Sequence, residues 1–151
     1  MQYVDAQELA GADLSTARLA GADLRQVTLT RTSLENADLQ EADLTFATLY
    51  NANLGQANLA GAMLNGAALM AANLTGANLD EANMHHANLF KANLTRARLQ
   101  RADLTGTDLT EAILEDADLT DALFDDQTLW PDEFDPDQSG AVRQVATENE
   151  E

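Results

Sequence analysis

The 151-residue chain has no cysteine at all, only two prolines, and aromatic side chains at just 5% of its length. Without cysteine there is no disulfide, no thiolate nucleophile and no zinc–thiolate centre. No run approaches the roughly 18 apolar residues that a membrane helix requires. The opening MQYVDAQELA lacks the basic and then apolar regions of a secretory leader, so a soluble, cytoplasmic protein is expected. Positive charge is also scarce: eight Lys and Arg stand against 26 Asp and Glu, a formal net charge of −18. Such a surface repels polyanions, which argues against nucleic acid or an anionic membrane and leaves a protein as the expected partner.

What the chain has in abundance is leucine, in strict order. Counting in fives from Leu9 to Leu129 meets 25 positions; 23 are leucine, and the others are Met84 and Phe124. Two residues before each, from Ala12 to Ala122, alanine fills 20 of 23 positions, with Val27, Thr32 and Thr107 as exceptions. A repeat this regular has to be read before any local propensity. On an α-helix five residues advance about 140°, so the leucines would spiral around every face. In a flat strand successive leucines would point to opposite sides. A short extended segment, however, puts leucine and the preceding alanine on one side, and a corner after it lets the next pair point inward too. Four corners close a square coil of 20 residues. Stacked coils then satisfy their backbone groups through hydrogen bonds at about 4.8 Å spacing. Gly11, Gly21, Gly61, Gly66, Gly76 and Gly106 all fall two residues after a core position, at the expected corner.

The unit A-(D/N)-L-x-x, in stretches such as GADLS, NANLG, TGANLDEANM and RADLTGTDL, resembles the pentapeptide-repeat family over about residues 9–129. The resemblance implies an all-β fold, a quadrilateral parallel β-helix. That fold is usually dimeric through a terminal cap and is mostly of unassigned biochemical role. A right hand is expected from the general preference of parallel crossovers. The chain then divides into a lead-in at 1–8, a β-helix of about six coils at 9–129, a C-terminal cap at 130–142, and an acidic tail at 143–151 expected to be disordered. In the cap, Trp130 and Phe134 serve as a hydrophobic lid or as a dimer contact.

Residues 20 apart should stack, which turns the outer surface into columns. One column, just after the inward leucine, runs Thr30, Tyr50, Met70, Phe90, Thr110. Its three large apolar members are either a ladder that strengthens the sheet or a patch that meets a partner. Another runs Glu41, Gly61, Glu81, Arg101, Asp121 and reads as ordinary surface pairing. The Asn and Asp residues before each leucine are expected to bond nearby backbone.

No cofactor, metal or catalytic residue is expected. His85 and His86 sit at a corner whose neighbours one coil away are Asn65, Thr105, Gly66 and Gly106, so a zinc site lacks a third ligand. Asp135, Asp137, Ser139 and Gly140 match the first half of a calcium loop, but Ala146 stands where a bidentate Glu is needed. An enzyme needs groups converging in a concave site, and a rod offers none. The expected function is a non-catalytic protein-interaction scaffold, able to pair as a homodimer, with Tyr50, Met70, Phe90, Trp130 and Phe134 as contact candidates. The alternative that the resemblance implies is an acidic mimic of duplex DNA that binds DNA gyrase or another DNA-binding protein. The charge is unevenly placed for that role: no charged residue lies between Asp43 and Asp80.

Overall fold

The computed structural model describes residues 9–145. The expected lead-in at 1–8 and the tail beyond residue 145 lie outside the described residues. Parallel bridges join each residue before a core leucine to the residue 20 further on, from Asp13↔Ser33 to Asp103↔Leu123. Every fifth residue from Gly11 to Asp121 has a positive φ, between 54° and 72°. Four such corners per bridged turn make the coil four-sided, so the chain is a parallel β-helix. Side I carries Leu24, Leu44, Leu64, Met84 and Leu104; side II carries Leu29 to Leu109 in steps of twenty. Side III carries Leu14 to Leu114, and side IV carries Leu19 to Leu119, each in the same step. No helix among the described residues is long and apolar enough to cross a membrane.

The repeat chemistry follows from where its five backbone N–H groups go. The leucine donates to the next coil, as Leu14 N does to the Ser33 carbonyl at 2.7 Å. The corner residue also donates upward, Thr16 N to the Glu35 carbonyl at 2.9 Å, while the outward residue donates downward, Ser33 N to the Ala12 carbonyl. Alanine closes the turn, Ala17 N to the Leu14 carbonyl at 3.0 Å. The fifth group belongs to the residue just after leucine, and its acceptor is the Asp or Asn side chain just before leucine. Asn73 Oδ1 accepts from Thr75 N at 3.1 Å, Asn93 Oδ1 from Thr95 N at 3.0 Å, and Asp103 Oδ1 from Thr105 N at 2.9 Å. A short polar residue thus precedes leucine because it completes the donor count of the turn.

Inside, Leu29 to Leu109 are buried without interruption, and the alanines from Ala37 to Ala102 fill the narrow space beside them. Each leucine contributes on the order of 2 kcal/mol of gross burial before ordering entropy is subtracted. Met84 takes a leucine position at 0% exposure, a swap close in volume. Thr32 and Thr107 occupy alanine positions and are fully buried, yet neither hydroxyl is orphaned. Thr32 Oγ1 donates to the Leu9 carbonyl at 2.6 Å, and Thr107 Oγ1 to the Met84 carbonyl at 2.9 Å.

The count in fives fails at its last step. Asp108 bridges Leu129, 21 residues on. Three residues, Asp125, Asp126 and Gln127, separate Phe124 from buried Thr128, where the repeat has two. The extra residue is held by the Asp125 carboxylate, which accepts from Gly106 N and from Gln127 N, each at 3.0 Å. Burial alone would raise its pKa. The bonds from the Gly106 backbone, the Thr128 hydroxyl and the Gln127 backbone outweigh this and hold it below the ordinary aspartate value. Leu129 therefore faces outward and is 52% exposed, and Trp130 follows it into line with the core.

Beyond Trp130, a 3-10 helix at Pro136–Gln138 leads to strand β2 (Val142–Arg143), which pairs in parallel with β1 (Leu123–Phe124). Gln144 N also donates to the Phe124 carbonyl at 2.7 Å. Arg143 and Gln144 thus belong to the folded body, although the acidic tail was expected to start at residue 143.

Candidate interaction surface

Side II and its two bordering corners carry the largest exposed apolar side chains of the described rod. Along one coil the outward positions are Phe46, Thr48 and Tyr50; along the next, Gly66, Ala68 and Met70; along the third, His86, Asn88 and Phe90. Backbone bonds fix the stacking: Asn51 N donates to the Met70 carbonyl, and Ala71 N to the Phe90 carbonyl. Tyr50, Met70 and Phe90 therefore do form one column, as their spacing of twenty predicts. Tyr50 is 41% exposed, while Met70 and Phe90 are half-buried against each other's coils. Lys91 places its ammonium 5.1 Å from the Phe90 ring centroid and 3.4 Å from Glu111.

Trp130 and Phe134 lie elsewhere. They pack at the C-terminal end, where the Trp130 ring meets Phe124 edge-on at 5.5 Å and stacks on Phe134 at 5.0 Å. Trp130 Nε1 is buried and has no hydrogen-bond partner among the described residues.

Sequence reasoning missed Phe46, at 63% exposure the most exposed aromatic described. It stands at a corner with φ 56°, a position where glycine or a polar residue is expected. Its ring lies across Gly66 of the next coil, where a Cβ would collide with it, and His86 lies across Gly106 in the same way. The available signal was a column of alternating large and null side chains: Phe46, Gly66, His86, Gly106. Met63, 42% exposed on neighbouring side I, extends the apolar area.

A second feature marks this area. Within the uncharged span between Asp43 and Asp80, sides III and IV keep Asn53, Asn58, Asn73 and Asn78 before their leucines. These asparagines also bond one another, Asn73 Nδ2 to Asn53 Oδ1 at 3.0 Å and Asn78 Nδ2 to Asn58 Oδ1 at 3.3 Å. Sides I and II instead carry Met63, Thr48 and Ala68. Met63 and Ala68 have no oxygen with which to complete the turn. The sequence thus gives up a bond its own scaffold uses, and does so only on the apolar side of this span.

The histidines are more connected than their column neighbours suggest. His85 Nδ1 lies 2.7 Å from Thr105 Oγ1, which donates to Asp103 Oδ1 at 2.6 Å. The hydroxyl proton being used, His85 Nδ1–H is the donor, so a carboxylate orients the ring through one threonine. Its ring centroid is 3.9 Å from that of His86. Among the described residues no group of three or more His, Cys, Asp or Glu is placed to hold a metal ion. Asp135 Oδ1 is engaged as a cap, accepting from Asp137 N at 3.0 Å. A shallow notch at Ala60 and Gly61 is lined by Glu41, Asp80, Glu81 and Arg101. Asp80 is ion-paired to Arg98 and Glu81 to Arg101, which leaves little chemistry free there.

With this geometry in place, comparison with known proteins is specific. The family described as Pentapeptide repeats matches in eight copies, over residues 8–45, 37–76, 67–106 and 87–126. Curated proteins give no match. Among solved structures, HetL of the cyanobacterium Nostoc sp. strain PCC 7120, a pentapeptide repeat protein involved in heterocyst differentiation regulation, is 34% identical. It is covered over 62% of its length by 80% of this chain, with a TM-score of 0.64. The pentapeptide repeat protein Rfr23 from Cyanothece 51142 is 39% identical over 62% of this chain and 63% of its own, with a TM-score of 0.61. The protein alr5209 from Nostoc PCC 7120 is 36% identical over 68% of this chain and 84% of its own, with a TM-score of 0.67. The chain thus spans a little over three fifths of the length of Rfr23 and of HetL.

Proposed function

Since the chain belongs to the pentapeptide-repeat family, matched from residue 8 to residue 126, we propose that it is a non-catalytic protein-interaction scaffold whose contact surface is side II with its bordering corners. In this reading about six right-handed coils form the rod, and residues 130–144 cap its C-terminal end through Trp130 and Phe134. The rod holds Phe46, Tyr50, Met70 and Phe90 in fixed rows, and a partner covers them.

The observation that carries this reading is the coincidence of two departures from the repeat. The outward Asp or Asn of the repeat is replaced at Thr48, Met63 and Ala68 in the same uncharged span where large apolar side chains appear at Phe46, Tyr50 and Met70. A stacked ladder alone would not require the scaffold to forgo its turn acceptor. Contiguous exposed apolar surface on a soluble rod fits a protein contact, and local rules are broken chiefly where function needs it. Mimicry of DNA is less well supported, because a phosphate mimic needs charge at regular intervals along its length. Nine of the 26 acidic residues lie at or beyond Asp125, while the central coils carry none.

Affinity capture from the source cells tests the proposal. Phe46→Asp combined with Tyr50→Asp, two exposed positions, should leave the melting curve within a few degrees of wild type. It should lower retention of the captured partner at least tenfold, a loss of about 1.4 kcal/mol or more in binding. Asn78→Asp on side IV should leave retention unchanged. Equal retention by all three proteins would refute side II as the contact.

A further inference from the structure

We infer that the protein meeting side II is a second copy of this chain, lying antiparallel across it; this rests on side II being a contact surface. The column Thr28, Thr48, Ala68, Asn88, Asp108, Leu129 is bridged rung to rung, and Ala68 is the member with the smallest outward side chain. A two-fold axis lying across the face at Ala68 keeps each bordering corner opposite itself and reverses the order of the coils. An interface of this isologous kind requires a patch complementary to its own reversed copy.

Side II meets that requirement row by row. Reversal sets Phe46 against His86 of the second copy, and Tyr50 against Phe90 of the second copy, so each exposed ring meets another flat ring. Met70 meets Met70 of the second copy at the centre of the column. Gly66, Ala68 and Ala71 occupy the middle rung, where the two rods must come closest, and none carries more than a methyl group. At the outer rungs, Arg31 faces Glu111 of the second copy, two coils from the centre in opposite directions. The uncharged span between Asp43 and Asp80 lies at the axis, so the strong negative charge of each copy is kept away from the centre of contact. A parallel arrangement would exchange the two corners and set Arg31 against Gln26 and Glu111 against Gly106 of the second copy, which leaves Arg31 without a carboxylate to meet. The face is about 19 Å tall over four coil spacings, below the area of a standard stable interface. The dimer is accordingly weak and concentration-dependent.

The absence of cysteine makes the register directly measurable. Ala68→Cys, lying on the axis, should form a disulfide-linked dimer under mild copper–phenanthroline oxidation at least tenfold faster than Asn78→Cys on side IV. Thr48→Cys mixed with Asn88→Cys should cross-link to one another, while each alone should link at least tenfold more slowly. Sedimentation equilibrium should show a dimer that Arg31→Glu weakens at least tenfold and that Arg31→Glu with Glu111→Arg restores. Cross-linking of Thr48→Cys to itself would overturn the antiparallel register. Monomeric sedimentation, with Ala68→Cys no faster than Asn78→Cys, would overturn the second copy as partner. In that event the contact role of side II stands if Phe46→Asp with Tyr50→Asp still abolishes capture of another protein, and falls with it if capture is unchanged.

Discussion

Leu74→Asp is expected to abolish the folded rod. Leu74 is 0% exposed in the middle of the stack, with coils above and below it. Removing its side chain costs about 2–5 kcal/mol through lost burial and the space left behind. The carboxyl that replaces it has only leucine, alanine and methionine around it. Even protonated, an unpartnered polar group in such surroundings costs roughly 2–7 kcal/mol, and a carboxylate far more. Together these are comparable with the roughly 5–15 kcal/mol by which a domain is stable, and the ionised form exceeds it. Because each coil contacts only its neighbours, the break divides the rod into two short stacks, neither with the length of the original. Circular dichroism should show no cooperative melt for Leu74→Asp, whereas Leu74→Met should melt within about 1.5 kcal/mol of wild type, as the natural Met84 suggests. A cooperative melt for Leu74→Asp would mean that the position does not face a closed core.

The second large effect is expected at Trp130. Its ring is held between Phe124 and Phe134 over the last leucines. Trp130→Ala removes both ring contacts and should cost about 3 kcal/mol, toward the low end for an aromatic truncation because the residue is half-buried. The loss should concentrate at the C-terminal coils: amide exchange at Val142 and Gln144, whose N–H groups bond Ala122 and Phe124, should accelerate, while exchange near Leu54 stays slow. Trp130→Phe should cost much less, because it keeps an aromatic ring and removes the buried Nε1–H that has no partner among the described residues. If Trp130→Ala accelerates exchange uniformly along the rod, or not at all, Trp130 does not act as an end cap.

How much of this was legible in the sequence depends on what a repeat can encode. The inward positions could be read because leucine and alanine recur with no gap, and a period of five suits no helix or flat strand. The alignment of Tyr50, Met70 and Phe90 follows from the same period. The shift at Leu129 could not be read, because an apolar residue falls on the count at the very place where one extra residue has moved it outward. Asp125 supplies the bonds that hold that extra residue, and nothing in its local sequence sets it apart from the other aspartates. Phe46 was missed because corner positions look interchangeable until the ring is seen lying over Gly66. The link from His85 through Thr105 to Asp103 was missed because columns pair residues 20 apart, whereas Asp103 lies 18 residues from His85 and is reached diagonally.

The surface proposed here exists only if residues 20 apart are stacked, and the distance between two spin labels measures that directly. In a chain without cysteine, Ser33→Cys with Ile113→Cys places both labels on side III, away from the contact face, four bridges apart along the column 33, 53, 73, 93, 113. Four coil spacings put their backbones about 19 Å apart. Double electron–electron resonance should give a narrow distribution centred within a few ångströms of that distance. A broad distribution, or one centred beyond about twice that distance, would contradict the stacked coil and the contact surface built on it.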